Sequence, residues 1–241
     1  MTNSVADISQ RKTARIVGVL FILGFAGIVT AVFTQPILND PNYLIKASVN
    51  ENKIIMGAFF QFIMAAACAG IGISLYPVLR RYSEGLALGA AGFRIIEAVF
   101  QIVGVVILLL LVTLSQEFVK VGASDSSYHQ TAGVLLLAGN AWVNHVAASL
   151  AWCIGALMYY YIFYRTKLIP RWLSGWGLVG ITLTIVASVL VMFRFIGPFS
   201  TIQVVMNLPI GLQEIVLAVW LIVKGFSPSA IASRSALADM S

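Results

Sequence analysis

Six long apolar stretches, joined by short polar connections, take up almost the whole chain. They run Ile16 to Phe33, Ile54 to Leu75, Leu86 to Leu114, Ala141 to Phe163, Trp172 to Phe193 and Ile202 to Val223. A hydrocarbon layer about 30 Å thick is crossed by about 20 helical residues, so each stretch is long enough to span. In lipid the backbone must satisfy its own hydrogen bonds, which makes each stretch a helix. The expected fold class is therefore all-α, a polytopic membrane bundle of six transmembrane helices. The third stretch is overlong and is expected to tilt or to run past the interface. Residues Thr131 to Asn140 also read as helical and extend the fourth helix outward. Of the 241 residues, 60% are apolar and 10% charged, against about 25% charged in soluble domains. That balance excludes a soluble globular domain, a disordered chain and a coiled-coil fibre, and the six spans leave no room for a soluble catalytic domain.

The charges between the spans set the topology. With the N-terminus inside, the inner segments hold ten basic residues: Arg11, Lys12, Arg15, Arg80, Arg81, Arg165, Lys167, Arg171, Lys224 and Arg234. The outer loops hold four: Lys46, Lys53, Lys120 and Arg194. This bias places both termini in the cytoplasm and the chain in a cell membrane. The net charge of +6 is then a topology signal. A nucleic-acid surface would gather the basic residues into a patch, and none is present. Tyr159, Tyr160, Tyr161 and Tyr164, with Trp172 and Trp176, read as an aromatic belt at the inner interface. The organisation expected is a cytoplasmic N-terminal segment at 1–15, a six-helix domain at 16–226 and a disordered cytoplasmic tail at 227–241. The longest outer loop, Thr34 to Lys53, carries a turn at Asn39 to Asn42 and a short interfacial helix at Tyr43 to Val49.

Ionisable groups at membrane depth are costly, and by default they mark a functional site. The third helix carries Arg94, Glu97 and Gln101 at spacings of three and four, on one face. The sixth carries Gln203, Asn207 and Glu214, also on one face. By helical rise, Glu97 lies about 16 Å from the inner start of its helix, and Glu214 about 14 Å from the inner end of its own. Both sit near the midplane, which suggests one buried cluster of Arg94, Glu97 and Glu214 joining helices three and six. Two carboxylates beside one arginine leave a negative charge for a proton, a cation or another donor to balance. Nearer the outer face, Gln61, Gln101, Asn140, Asn144, His145, Gln203 and Asn207 form a candidate polar vestibule. Pro209 is expected to kink the sixth helix. Small residues (Ala66, Gly70 and Ser74; Gly18, Gly24 and Gly27; Gly177 and Gly180) mark faces for close helix approach, within the chain or in a homo-oligomer.

Several chemistries lack their residues. Two cysteines, Cys68 and Cys153, and two histidines, His129 and His145, are too few for a disulfide framework, a zinc site or paired haem ligation. There is no nucleophile elbow, no Cys-x-x-Cys, no His-Glu-x-x-His and no P-loop. No lysine or aspartate lies within a span. No metal, cofactor or catalytic residue is expected.

Five segments carry a family resemblance. They are Ala14-Arg15-Ile16-Val17-Gly18; Leu75-Tyr76-Pro77 with Leu79-Arg80; Phe93-Arg94-Ile95-Ile96-Glu97-Ala98; Ile169 to Gly177; and Pro209 and Glu214 with Trp220 to Phe226. Together they resemble a bacterial membrane family catalogued as domain of unknown function 4386. The resemblance implies a bacterial six-span protein, and it places Arg94, Glu97, Pro209 and Glu214 in the family's pattern. It brings no activity.

Three readings of function follow. The first is a multi-span protein without enzymatic activity, structural or regulatory, built around the Arg/Glu cluster. The second is a small transporter or channel whose midplane carboxylates take a cation, a proton or a small solute. The third, a lipid-modifying enzyme, has only His145, Asn144 and Ser149 to draw on. The topology is directly testable. Reporters fused after Phe226 and within the Thr34–Lys53 loop should report opposite sides of the membrane, with the former cytoplasmic; the reverse assignment would refute the orientation.

Overall fold

The computed structural model describes residues 2–122 and 126–228. Among the described residues every regular element is a helix. The order is α1 (Thr2–Gly24), α2 (Ala26–Leu38), α3 (Tyr43–Val49), α4 (Glu51–Leu79), α5 (Glu84–Val121), α6 (Ser126–Trp142), a π-helical turn (Val143–Ala148), α7 (Ser149–Thr166), α8 (Arg171–Met192) and α9 (Thr201–Val223). Six segments are long and apolar enough to cross a membrane: Gln10–Leu38, Glu51–Leu79, Glu84–Val121, Ser127–Thr166, Arg171–Met192 and Thr201–Val223. They match the six apolar stretches one for one. Most run one or more turns further, because a helix does not end where hydropathy falls.

The spans form a closed ring in chain order. α1 packs on α4, α4 on α5, α5 on α7, α7 on α8, α8 on α9, and α9 returns to α1. Short connections favour such neighbour-to-neighbour packing. The third and sixth spans, α5 and α9, are therefore opposite one another and make no extended contact.

The segment before Ile16 is helical from Thr2. Gln10 and Ala14 are buried because the chain after α9 turns back over them, with Gly225 at φ 75° beside Arg11 and Ala14. The expected tail at 227–241 lies outside the described residues from 229 onward; Ser227 still donates its N–H to the Leu168 carbonyl at 2.8 Å. The aromatic belt also divides. Tyr161, Tyr164 and Trp172 are exposed, whereas Tyr159 and Tyr160 are wholly buried. Successive helical residues point about 100° apart, so four clustered tyrosines cannot share one face.

The first span is hinged. Phe25 N–H bonds the Ile22 carbonyl and Ile28 N–H the Phe25 carbonyl, a three-residue spacing that tightens the helix between α1 and α2. α9, by contrast, runs unbroken through Pro209. The short helix α3 occupies the predicted Tyr43–Val49.

The largest apolar cluster lies in one half of the ring, and a smaller one, of Ile37, Ala47, Ile54, Ala58, Leu108 and Val112, joins α2, α3, α4 and α5. Phe21, Leu75, Leu79, Tyr159, Tyr160, Phe163, Leu173, Leu217 and Leu221 pack into the larger cluster, at the end that carries Arg80, Arg81, Arg165 and Arg171. It is the basic end of the bundle. The small-residue faces are used within the chain. A methyl on Gly18 would sit 2.7 Å from the Ala218 carbonyl oxygen, and one on Gly180 would sit 2.9 Å from Ile210 Cβ and 3.0 Å from its Cα. Gly180 thus admits α8 to the backbone of α9 just after Pro209. Gly92, on α5, has no such neighbour within 4 Å. Gly180→Val should lower stability by about 1–3 kcal/mol or more through overpacking. Gly92→Ala should be neutral or stabilising by up to about 1 kcal/mol. Thermal unfolding in detergent checks both; equal losses would remove the close-approach argument.

Candidate functional site

Arg94 sits on the inward face of α5, with 3% of its surface exposed. Its backbone is held between two glycines. A methyl on Gly72 of α4 would lie 2.8 Å from Arg94 Cβ, and one on Gly155 of α7 would lie 3.4 Å from Arg94 N. Any side chain at Gly72 would push α4 away from the arginine. The guanidinium cannot shed its proton, so it must find acceptors. Its Nε donates to the Cys68 carbonyl at 3.3 Å, and its Nη1 lies 2.9 Å from Glu97 Oε2, one turn along the same helix. Glu97 is 5% exposed.

Glu214 faces this pair from the far side of the ring. It lines the same cavity and acts on Arg94 and Glu97 through charge, but among the described residues it makes no ion pair. The expected cluster joining helices three and six is therefore an ion pair within α5 and a lone carboxylate opposite it. The two helices face each other across a cavity and make no extended contact.

That cavity measures about 240 Å³, far above the roughly 10–15 Å³ that one water needs. Its walls come from α1 and the hinge (Phe21, Gly24, Phe25), α4 (Met64, Cys68, Ile71), α5 (Arg94, Glu97, Gln101), the π turn and α7 (Asn144, His145, Ala148, Ser149, Trp152), and α9 (Gln203, Asn207, Glu214). A second cavity of about 240 Å³ adjoins it and reaches toward the end opposite the basic one, past Thr30, Thr34, Gln61, Asn140 and Phe199. The two share Met64, Gln101, Asn144 and His145. All seven residues read from sequence as vestibule candidates line one cavity or the other: Gln61 and Asn140 the second, Gln203 and Asn207 the first, and Gln101, Asn144 and His145 both.

Hydrogen bonds order this polar half. Gln61 Nε2 donates to Asn144 Oδ1 at 2.8 Å and to the Gln101 carbonyl at 3.0 Å. Asn144 donates to the Asn140 carbonyl, and Asn140 to the Gly104 carbonyl. Gln203 Oε1 accepts the Phe199 N–H at 2.6 Å, which fixes the orientation of its amide. Its Nε2 therefore donates to His145 Nδ1 at 3.1 Å. His145 is then neutral, with its proton on Nε2. Phe199, at φ 63°, lays its ring edge-on to the imidazole, with centroids 4.2 Å apart. The π turn that carries Asn144 and His145 is a rare local geometry that recurs at functional sites.

Some site residues were not singled out from sequence. Trp152 reads as an ordinary apolar residue, yet its indole N–H lies in range of the Glu214 carboxylate without a fully formed hydrogen bond. Gln213 neighbours Glu214 but points about 100° away from the cavity face. It accepts from the Tyr160 hydroxyl at 2.6 Å and donates to the Leu173 carbonyl at 3.0 Å, tying α9 to α7 and α8. A glutamine in an apolar span was the available signal. Ser149 is engaged by Ser188 Oγ at 2.7 Å, while His145 is held by Gln203, so the serine and histidine of the enzymatic reading are not paired. Among the described residues, no group of three His, Cys, Asp or Glu side chains converges as a metal ligand set.

A ring of six apolar helices around a charged polar cavity defines a multi-span membrane protein. The chain belongs to the family described as domain of unknown function (DUF4386), whose model matches residues 16–225. This span includes Arg94, Glu97, Pro209 and Glu214. No curated protein and no solved structure matches the chain.

The arginine's environment makes a stability prediction. Arg94→Met strands Glu97 in the interior and should cost about 3–5 kcal/mol, whereas Arg94→Met with Glu97→Gln should cost much less. Thermal unfolding of both variants in detergent checks this. Equal losses would mean that the two groups are not coupled.

Proposed function

We propose that this membrane protein takes up a small cation or a proton into the cavity at the centre of its helix ring, as a small transporter or channel does. The observation that carries this reading is the lone Glu214 carboxylate opposite the Arg94–Glu97 pair. Arg94 balances one carboxylate; the second has no cation among the described residues. Glu214 is partly buried, and an unbalanced charge at membrane depth demands a counter-charge or a proton. Midplane carboxylates are the usual groups for ion and proton relay.

The organisation of the ring supports the same reading. Polar residues continue from the charged cavity toward one end, while the largest apolar cluster, including the edge-to-face Phe21 and Tyr159 rings with centroids 6.4 Å apart, fills the other. A polar path on one side of the site and large apolar side chains on the other suit a gated site. With the topology that the basic residues favour, the polar side is the outside. The static, structural reading has less support. It accounts for Arg94, which its bond to the Cys68 carbonyl ties to α4, but it gives Glu214 no ion-pair partner among the described residues.

Flux measurements test the proposal. Protein reconstituted into vesicles with an internal pH dye should show proton movement, either alone or on addition of small cations. Glu214→Gln should cut that movement at least tenfold, since it removes the unbalanced charge. Wild-type vesicles as silent as protein-free ones across protons, alkali cations and small organic cations would reject the reading.

A further inference from the structure

Three buried polar atoms on the wall of the central cavity have different surroundings. Glu97 Oε2 is met by Arg94 Nη1 at 2.9 Å, Trp152 Nε1 faces the Glu214 carboxylate, and Asn207 Oδ1 has no hydrogen-bond partner among the described residues. Buried polar atoms are seldom left unsatisfied. Asn207 Oδ1 is an acceptor, and Glu214, two turns along the same helix, adds another without an ion-pair partner. An occupant that satisfies them is therefore a donor and carries positive charge. The remaining wall narrows its class. Phe21, Phe25 and Trp152 bring three aromatic rings to the same cavity. Aromatic walls beside a carboxylate suit an organic cation, which gains from ring quadrupoles as well as from charge. They suit a bare metal ion poorly, since such ions demand several oxygen ligands at short range, and no cluster of that kind is present among the described residues. A proton alone needs neither the aromatic walls nor a cavity of about 240 Å³.

We infer that the central cavity binds a small alkylammonium ion, with its nitrogen at Glu214 and Asn207 and its alkyl part against Phe21, Phe25 and Trp152. This rests on the proposed uptake of a cation and names its chemical class. Glu97, already paired with Arg94, lends a further acceptor at the edge. Trp152 contributes its ring and leaves its N–H to the Glu214 carboxylate, holding that group toward the cavity.

Calorimetric titration of the full-length protein in detergent tests the assignment, with isobutylammonium, sodium and potassium chlorides as probes at constant ionic strength. Saturable binding of isobutylammonium is expected, with neither metal ion binding as tightly. Glu214→Gln should weaken it by about thirtyfold or more, as expected on removing one partner of a buried charge pair. Trp152→Leu should weaken it by about two- to thirtyfold through loss of the cation–π contribution. Trp152→Phe, which keeps a ring, should lose less than Trp152→Leu. Circular dichroism and a monodisperse elution profile establish that each variant is folded. Should Glu214→Gln fail to fold, Asn207→Leu replaces it, with weaker isobutylammonium binding expected. Isobutylammonium binding that is absent, or unchanged in both Glu214→Gln and Trp152→Leu, would overturn the inference. If sodium or potassium instead binds in a Glu214-dependent manner, the organic-cation assignment falls and cation uptake stands. If none of the three binds and the vesicles are also silent, both readings fall.

Discussion

The arginine at position 94 is the constraint around which the bundle is arranged. A guanidinium stays charged at any accessible pH, and an unpaired charge at membrane depth is costly. Every element near it answers that demand. α5 supplies Glu97 one turn away, and α4 supplies the Cys68 carbonyl. Gly72 and Gly155 let α4 and α7 close around its backbone. Replacing either glycine with a larger residue would separate helices that the arginine needs close together. Three adjacent members of the ring thus meet at one residue.

Across the ring the demand is left unanswered. Glu214 meets a cavity instead of a cation, and the polar atoms around it are only partly paired. The contrast between the two walls, one with an ion pair and one without, is what the proposed cation uptake rests on. The rest of the molecule is divided in the same way. The basic end is filled by large apolar side chains, including two tyrosines with no exposed surface, and the opposite half is threaded by amides. The Gln203 bridge between Phe199 and His145 shows how tightly that half is ordered. One amide fixes both the loop before α9 and the tautomer of the histidine in the π turn.

Much of the candidate site could be read from residue type and spacing. Arg94, Glu97 and Gln101 fall on one face because they are three and four apart, and Gln203, Asn207 and Glu214 share a face for a similar reason. Helical rise brought the carboxylates to similar depth. Spacing within a helix says nothing about which helices are neighbours, however: the closed ring sets α5 and α9 opposite, without extended contact. Nor could periodicity separate Gln213 from Glu214 in role, since the direction that a side chain finds occupied depends on the helices around it. Trp152 was illegible for a related reason. A tryptophan in an apolar span carries no sign that its N–H faces a carboxylate.

The sequence by itself determined the number of spans, their boundaries to within a few turns, the charged face of each helix and membership of the family, because lipid forces apolar length and helical periodicity onto the chain. Only the tertiary structure decided that the ring closes from α9 back to α1, that the polar faces of opposite helices enclose a cavity, and that Tyr159 and Tyr160 belong to the core and not to the interface. Those outcomes depend on which small residues permit close approach between particular helices. That is a property of pairs of surfaces, and no single segment encodes it.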